Sequence, residues 1–354
     1  MKGKNFNLKV LFRIVLAIII FYVILESLAR YRFEYYNPYM PISIRANMGL
    51  NSYDAMHFKR NFDKTSLKGI HYITDEYGFR HGGKLKDLHK PTVLLGGDSR
   101  IFGYSLKYKD TVSSLLEKSN QFNIYQQAYP GSSPALFNYG IFENGLYDKL
   151  KIAPNYIIYA YDRCDCYNDD VFEQELKENE NGTTLRKLKL MLGGYAWNMC
   201  YRKLGFFMNQ KKFQEKNKIE VIQNEENKIE VIQNEEDKIV PTQPKITDIP
   251  IRTSALNRLR NYSKGFKVPL IMLYLPRAEE LYIRDSRVRD RLLKWTTENE
   301  VIFIDGYAEF DQLIQGELKK MEPFFIDLSE GIHFSPKGSV FISDLILKKL
   351  EELK

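Results

Sequence analysis

Five short apolar runs, spread over the last three quarters of the chain, constrain its fold most strongly. Each is rich in β-branched or aromatic side chains, and together they cover residues 92–95, 123–127, 156–161, 270–275 and 301–304. Amphipathic stretches such as 111–118 and 288–297 separate them, and residues 337–353 have the periodicity of a closing helix. Apolar strands that alternate with helices predict an α/β fold with a central parallel sheet, covered by helices on both faces. In such sheets, sites form at the carboxyl ends of the strands.

Composition supports a packed core and excludes several classes of protein. Of the 354 residues, 44% are hydrophobic and 14% aromatic, which rules out wholesale disorder. The length suits one large domain or two ordinary ones. The three cysteines (Cys164, Cys166 and Cys200) are too few for a disulfide framework and lack the paired spacing of a structural zinc site. We therefore predict no metal and no cofactor.

The net charge of +7 is concentrated at the N-terminus. Residues 1–32 carry +5 of it, and the remaining 322 residues carry only +2. A nucleic-acid-binding domain would show its basic residues on the folded body. We therefore predict no nucleic-acid partner.

The N-terminal segment, residues 1–32, has the pattern of a membrane anchor. Residues 14–25 are uncharged and apolar or aromatic, and a span from 8 to 28 is acceptable if Arg13 snorkels to the interface. Lysines precede the run, which favours a cytoplasmic N-terminus and an exported body, periplasmic or on the cell surface. One alternative is a cleaved signal peptide, because Ser27-Leu28-Ala29 is typical of a cleavage site. The other alternative is a helix buried in the protein core.

Residues 170–251 interrupt the strand–helix pattern and predict an insertion. Within it, the ten residues of 217–226 are repeated without change at 227–236, and Pro241, Pro244 and Pro250 follow. Ten residues advance a helix by roughly 1000°, so equivalent positions drift by about 80° and no apolar stripe forms. We interpret the repeat as part of a solvated insertion, with a partner-binding helix as the alternative.

Ser99 is the candidate nucleophile. The first predicted strand runs directly into Gly96-Gly97-Asp98-Ser99. Because glycines permit a tight turn, Ser99 would lie at the carboxyl end of the strand with its backbone N–H at the start of the next helix. That arrangement joins a nucleophile to an oxyanion donor. The alternative is an ordinary turn or helix cap.

His333 is the candidate base. The other histidines (His57, His71, His81 and His89) precede the sheet in polar sequence and are predicted to lie at the surface. His333 stands just before the last helix, with Glu330 three residues earlier and Asp327 further upstream. A carboxylate so placed can bond one ring nitrogen and leave the other for a serine proton. The alternative is a simple loop that leads into the helix.

Together these motifs resemble the SGNH/GDSL hydrolase superfamily over residues 74–170 and 266–350. They are Gly97-Asp98-Ser99 after the first strand, Gly131 in a loop after the second, and a carboxylate three residues before His333. The resemblance implies a flavodoxin-like three-layer α/β/α fold and metal-free hydrolysis or transfer of ester-linked acyl groups. Ser99 would be the nucleophile, His333 the base, and the backbone N–H groups of Ser99 and Gly131 the oxyanion donors.

Two positions depart from the family's pattern. Glu330 stands where the family usually has Asp. Cys164 falls where an Asn side chain is expected as a further oxyanion donor, and a thiol is a weak donor. The role could pass to Asn168 or Arg163. Cys164 and Cys166 are interpreted as packed thiols rather than as a metal site or a disulfide.

The leading hypothesis is a membrane-anchored serine esterase or O-acyltransferase that acts outside the cytoplasm. Its substrate would be an acylated cell-envelope glycan or lipid, and a membrane-bound acyl donor would be a further partner. Residues 74–80 also look like the segment that precedes this domain in membrane-anchored members. The predicted organisation is an anchor (1–32), a lead-in segment (33–90) and an SGNH-like domain (91–354). The alternatives are a weak or inactive SGNH-fold protein that binds glycan or an exported protein, and a coincidence of motifs on another α/β fold.

Overall fold

The computed structural model describes residues 8–36, 61–65, 69–81, 87, 89–128, 130–143, 147, 153–180, 251–315, 317–326 and 333–354. The chain divides into two units: Met1–Tyr35 with Thr184–Asp248, and Tyr36–Thr183 with Ile249–Lys354. In the first unit only the N-terminal helix is described. The tandem repeat at 217–236 and most of the predicted insertion, residues 181–250, lie outside the described residues.

The N-terminal helix, α1 (Leu8–Tyr36), keeps most of its described side chains between residues 12 and 28 exposed. Across the described ranges, no helix combines the length and the apolar character needed to cross a membrane. The predicted transmembrane span is therefore not supported. Arg13 and Glu26 bound an uncharged run of only twelve residues, whereas a bilayer core requires about 20.

The second unit is built on a five-stranded parallel sheet, as the sequence predicted. Its strands are β3 (Thr92–Gly97), β4 (Asn123–Ala128), β5 (Tyr156–Tyr161), β6 (Leu270–Tyr274) and β7 (Ile302–Asp305), arranged in the order β4-β3-β5-β6-β7. The two central pairings are in register at Val93 with Tyr156 and at Gly97 with Ala128. Counted along the chain, this is the 2-1-3-4-5 order of flavodoxin-like folds, whose topological switch point lies between β3 and β5.

A short antiparallel hairpin precedes the sheet within the predicted lead-in segment. Its strands are β1 (Asp63–Thr65) and β2 (His71–Ile73). The helices of the second unit are α2 (Ser99–Phe102), α3 (Val112–Lys118), α4 (Pro134–Asn138), α5 (Asp165–Glu180), α6 (Thr253–Phe266), α7 (Ala278–Tyr282), α8 (Arg287–Glu298), α9 (Gly306–Ile314), α10 (Leu318–Met321) and α11 (Pro336–Glu352). Single 3-10 or π turns occupy Tyr108–Asp110, Tyr139–Glu143 and Glu322–Phe324.

The helices form a layer on each face of the sheet. Helices α3, α9 and α11 pack together on one face, and α4, α6 and α8 pack together on the other. Asn138 on α4 donates to the Ala255 carbonyl on α6 at 2.8 Å, and Ser343 on α11 donates to the Val112 carbonyl on α3 at 3.4 Å. Because both faces are covered, β3, β4 and β6 are buried along their whole length, which explains the nearly continuous apolar sequences of β3 and β6. Strand β4 also buries the polar residues Asn123, Gln126 and Gln127.

The two described ends of the predicted insertion lie together. Arg252 Nη2 is 2.5 Å from Asp170 Oδ2, and Arg258 Nη2 is 3.4 Å from Glu173 Oε1. Meanwhile β5 pairs directly with β6, from Ile157 with Leu270 onward. The sheet is therefore continuous although more than a hundred residues separate these two strands along the chain.

Candidate active site

The turn after β3 presents Ser99 at the carboxyl edge of the sheet. Asp98 caps α2, and its Oδ1 accepts a hydrogen bond from the Arg100 N–H at 2.9 Å. Gly97 has a φ of +153°, and a Cβ at this position would lie 2.8 Å from Ile101 Cγ1, so the turn requires glycine. Ser99 is therefore the first residue of a short helix, and only 8% of it is exposed.

The fold brings His333 to Ser99. The His333 Nε2 atom lies 3.1 Å from Ser99 Oγ, although 234 positions separate the two residues. The Ile326 N–H donates to the His333 carbonyl at 2.9 Å, and the Ser335 N–H donates to the Phe324 carbonyl at 2.9 Å. These bonds fix the segment that carries the imidazole just before α11.

Tyr104 packs against the imidazole. The two ring centroids are 4.9 Å apart, with 31° between the ring planes. The Tyr104 N–H donates to the Ser99 carbonyl at 2.9 Å, so the aromatic ring belongs to the same turn as the nucleophile. Serine, histidine and tyrosine therefore form one packed group.

The predicted carboxylate partners of His333 are Glu330 and Asp327. Both lie outside the described residues. The described part of the site is thus a Ser–His pair.

The loop after β4 carries Gly131, the other predicted oxyanion donor. Because β4 adjoins β3, with Ala128 opposite Gly97, this loop lies at the same sheet edge as Ser99. Gly131 has a φ of +79°, and nothing lies within 4 Å of the point where a Cβ would stand. The Asn168 side-chain amide donates to the Ser132 carbonyl at 3.4 Å. Asn168 therefore contacts the Gly131 loop, and its role as an oxyanion donor stays a prediction.

A buried group of charges lies beneath the nucleophile, and sequence reasoning missed it. Arg100 Nη2 is 2.5 Å from Asp162 Oδ2, and Arg100 Nη1 donates to the Pro276 carbonyl at 2.9 Å. The Arg100 guanidinium also lies 5.6 Å from the centroid of the Phe334 ring. Since Arg100 follows Ser99 and Phe334 follows His333, one side chain links the segments that carry Ser99 and His333. In the sequence, the one sign of this buried group is the charged residue Arg100 directly after Ser99.

The pKa values of the two acids in this group, Asp98 and Asp162, shift in opposite directions. Burial raises the pKa of Asp98 to about 6, with a further rise from Asp162 and an opposing effect from Arg100. Burial would also raise the pKa of Asp162, but Arg100 and Arg277 outweigh it and hold that pKa below its ordinary value. Asp162 is therefore the permanent counter-ion of the two arginines.

Cys164 lies half-buried after β5, at the same edge. Its Sγ accepts a hydrogen bond from Arg277 Nη2, and its N–H donates to Asp162 Oδ1 at 2.6 Å. Burial and Asp162 raise the pKa of the Cys164 thiol. Cys164 and Cys166 are both free, so the disulfide alternative is wrong. Among the described residues, no cluster of histidine, cysteine and carboxylate side chains could hold a metal.

Two further acids lie behind the Gly131 loop on the first turns of α5. Asp165 and Asp169 are buried, and burial raises the pKa of Asp165 well above its ordinary value and that of Asp169 to about 7. Asp169 Oδ1 accepts the Ala135 N–H at 2.8 Å. Within the described ranges, the second oxygens of both acids have no hydrogen-bond partner.

Arg80 ties the lead-in segment to the loop that follows the nucleophile. Its guanidinium donates to the carbonyls of Phe102 and Leu106, both at 2.8 Å, and lies 4.5 Å from the centroid of the Tyr72 ring. The motif at residues 74–80 therefore supports the nucleophile turn from outside the sheet.

Comparison with known proteins gave likenesses to solved structures only. No family model and no curated protein matches the chain. A lipolytic G-D-S-L family protein from Veillonella parvula aligns at 13% identity over 73% of this chain and 96% of its own, with a TM-score of 0.38. TesA aligns at 10% over 75% and 100%, with a TM-score of 0.41. The acetyl xylan esterase AlAXEase aligns at 11% over 73% and 98%, with a TM-score of 0.39. Scores this low carry no functional argument, so the function is inferred from the site geometry.

Proposed function

We propose that the protein is a serine-dependent hydrolase or transferase of ester-linked acyl groups. The observation that carries this proposal is the 3.1 Å separation of Ser99 Oγ and His333 Nε2 at the carboxyl edge of the sheet. A serine hydroxyl is a weak nucleophile until an adjacent base accepts its proton, and 3.1 Å is within the reach that this transfer requires.

The reaction proceeds through an acyl-enzyme. Ser99 Oγ forms a bond to the ester carbonyl carbon while its proton passes to His333 Nε2, and the carbonyl π pair moves onto the oxygen. When that pair returns, the C–O bond to the alcohol breaks, and His333 returns the proton to the leaving oxygen. Water or an acceptor hydroxyl then attacks the acyl carbon and passes its proton to His333. The bond to Ser99 Oγ breaks, and His333 returns the proton to Ser99.

The N–H groups of Ser99 and of the Gly131 loop are proposed to bind the oxygen that becomes negative. The Ser99 N–H lies at the first position of α2, where helical N–H groups have no partner within the helix. Gly131 has open space on its Cβ side. Donors arranged before the reaction stabilise the transition state without reorganisation.

The proposed substrate is an acylated cell-envelope glycan or lipid, acted on outside the cytoplasm, with the membrane as a partner through α1. If water is excluded from the acyl-enzyme, the reaction is a transfer from a membrane-bound acyl donor to a sugar hydroxyl rather than hydrolysis. Support for the location comes from the basic residues ahead of the apolar run and from the exposed apolar side chains of α1. Protease treatment of intact cells tests it: degradation of the catalytic unit without lysis is expected, and full protection would contradict export.

Fluorophosphonate labelling of the full chain tests the chemistry, followed by turnover of a small acetyl ester. Both signals should disappear in Ser99→Ala and in His333→Ala. The matched controls are Ser119→Ala and His71→Ala, which remove the same side chains away from the site; His71 bonds to Asp63 at 2.6 Å on an exposed hairpin. Labelling that survives in Ser99→Ala, or none in the folded parent, would refute the proposal and favour a non-catalytic binding protein.

A further inference from the structure

Arg277 carries a positive charge at the carboxyl edge of the sheet that the proposed Ser–His chemistry does not use. It lies three residues beyond the end of β6. The preceding residue, Pro276, accepts the hydrogen bond from Arg100 Nη1 at 2.9 Å. Because Arg100 directly follows Ser99, a single hydrogen bond joins the Arg277 segment to the nucleophile turn.

The other arginines described at this edge are committed to partners. Arg100 has no exposed side-chain surface and lies 2.5 Å from Asp162 Oδ2. Arg163 pairs with Glu279 at 3.6 Å. The Arg277 side chain is 17% exposed, and its nearest recorded carboxylate oxygen is the same Asp162 Oδ2, at 3.7 Å. Arg277 therefore shares its nearest counter-ion with Arg100, which lies closer to Asp162, while Glu280 and Asp98 act on it at longer range.

The Arg277 guanidinium also lacks strong hydrogen-bond acceptors. Its Nη2 donates to Cys164 Sγ, and a thiol sulfur is a weak acceptor. Its Nε is buried and has no hydrogen-bond partner among the described residues. A buried donor without an acceptor is costly. That cost is relieved when a negative oxygen arrives beside the guanidinium.

We infer that Arg277 stabilises the negative charge that develops on the carbonyl oxygen when Ser99 attacks the ester. This inference rests on the proposed function. As the Oγ–carbon bond forms, the carbonyl π pair becomes a full negative charge beside buried groups, where a fixed cation acts strongly. The field of Arg277 already extends to the nucleophile turn. Burial raises the pKa of Asp98, the residue before Ser99, and Arg277 is among the groups that oppose the rise.

Steady-state kinetics of the full chain on an acetyl ester test the inference. Arg277→Gln should lower kcat by about 100-fold with KM within about threefold, because the lost interaction exists only in the transition state. Arg277→Lys keeps the charge and should lose less than about tenfold. The matched control is Arg289→Gln, an arginine of similar exposure that pairs with Asp305 beyond the site; its kcat should stay within about twofold.

A rescue variant distinguishes charge stabilisation from simple support of the fold. In the Arg277→Gln background, Cys164→Asn supplies a neutral amide donor at the adjacent position and should recover about tenfold in kcat. A purely structural defect would lower the melting temperature of Arg277→Gln and would not be rescued.

Three results would overturn the inference. They are a kcat for Arg277→Gln within threefold of the parent, a loss confined to KM, or a loss that appears in Arg163→Gln instead. Failure of the proposed function looks different: the parent itself would neither label nor turn over the ester, and Ser99→Ala would match it. In that case both proposals fall, whereas an active parent with an unaffected Arg277→Gln rejects only the role of Arg277.

Discussion

Replacing Asp169 by Asn should change how the stability of the protein depends on pH. Asp169 is buried on α5 behind the Gly131 loop, and its Oδ1 accepts the Ala135 N–H at 2.8 Å. Its Oδ2 has no hydrogen-bond partner within the described ranges. Burial raises its pKa from 3.8 to about 7, because the charged form loses its hydration. The carboxyl is therefore protonated in the folded protein at a pH where it is ionised in the unfolded chain.

The sign and the size of the effect follow from that difference. Between about pH 4 and pH 7 the folded state binds the proton more tightly, so the free energy of unfolding falls as pH rises through this window. A shift of about 3 units at 1.36 kcal/mol per unit gives a loss of roughly 4 kcal/mol. An Asn side chain keeps the acceptor for the Ala135 N–H and stays neutral throughout. Asp169→Asn should therefore remove most of this loss.

Urea denaturation at pH 5, 6, 7 and 8, followed by circular dichroism, measures the effect. The fall in unfolding free energy between pH 5 and pH 8 should be smaller in Asp169→Asn than in the parent by about 2–3 kcal/mol. Some pH dependence of the unfolding free energy should remain in Asp169→Asn, because burial also raises the pKa values of Asp98 and Asp165. Asp344→Asn, at an exposed position of α11, is the control and should leave the slope unchanged. If the free energy of unfolding fell with pH by the same amount in Asp169→Asn and in the parent, the reasoning would be refuted.

Three further changes have defined outcomes. Arg100→Met should lower the free energy of unfolding in urea by about 3–5 kcal/mol, because Arg277, at 3.7 Å, is then the one cation recorded beside the buried Asp162 carboxylate in the described chain; a loss under 1 kcal/mol would contradict the buried pairing. Gly97→Ala should slow fluorophosphonate labelling by at least about tenfold, since the new Cβ would stand 2.8 Å from Ile101 Cγ1; an unchanged rate would mean that the turn adapts. Deleting 217–236 should shift the melting temperature by less than about 3 °C in scanning fluorimetry, and a large drop would show that the repeat stabilises the fold.

The strands and the places of Ser99 and His333 could be predicted because their signals are local. A continuous apolar run that ends in Gly-Gly-Asp-Ser identifies a buried strand and a tight turn, and β3 and Ser99 occupy these places. His333 was selected by its place before the last helix, and the fold brings it to Ser99. Each of these inferences used only neighbours in sequence.

The buried charges could not be predicted in the same way. Arg100, Asp162 and Arg277 belong to three segments that meet only at the sheet edge, so no pattern in sequence links them. The ring contact of Tyr104 with His333 likewise depends on how two loops pack. At the N-terminus, a local apolar pattern predicted a membrane span that the described helices do not support.

The ion pair between Asp170 and Arg252 makes the residues between α5 and α6 replaceable. The chain passes Asp170 on the second turn of α5 and enters α6 directly after Arg252, so 82 positions separate two residues that lie 2.5 Å apart. Closing a loop between fixed ends costs free energy that grows only slowly with its length. The residues between α5 and α6 can therefore be exchanged for a foreign domain or for a linker long enough to span the roughly 15 Å of α5 beyond Asp170. Cleavage of the chain there would leave β5 paired with β6 and would retain the Ser99–His333 contact.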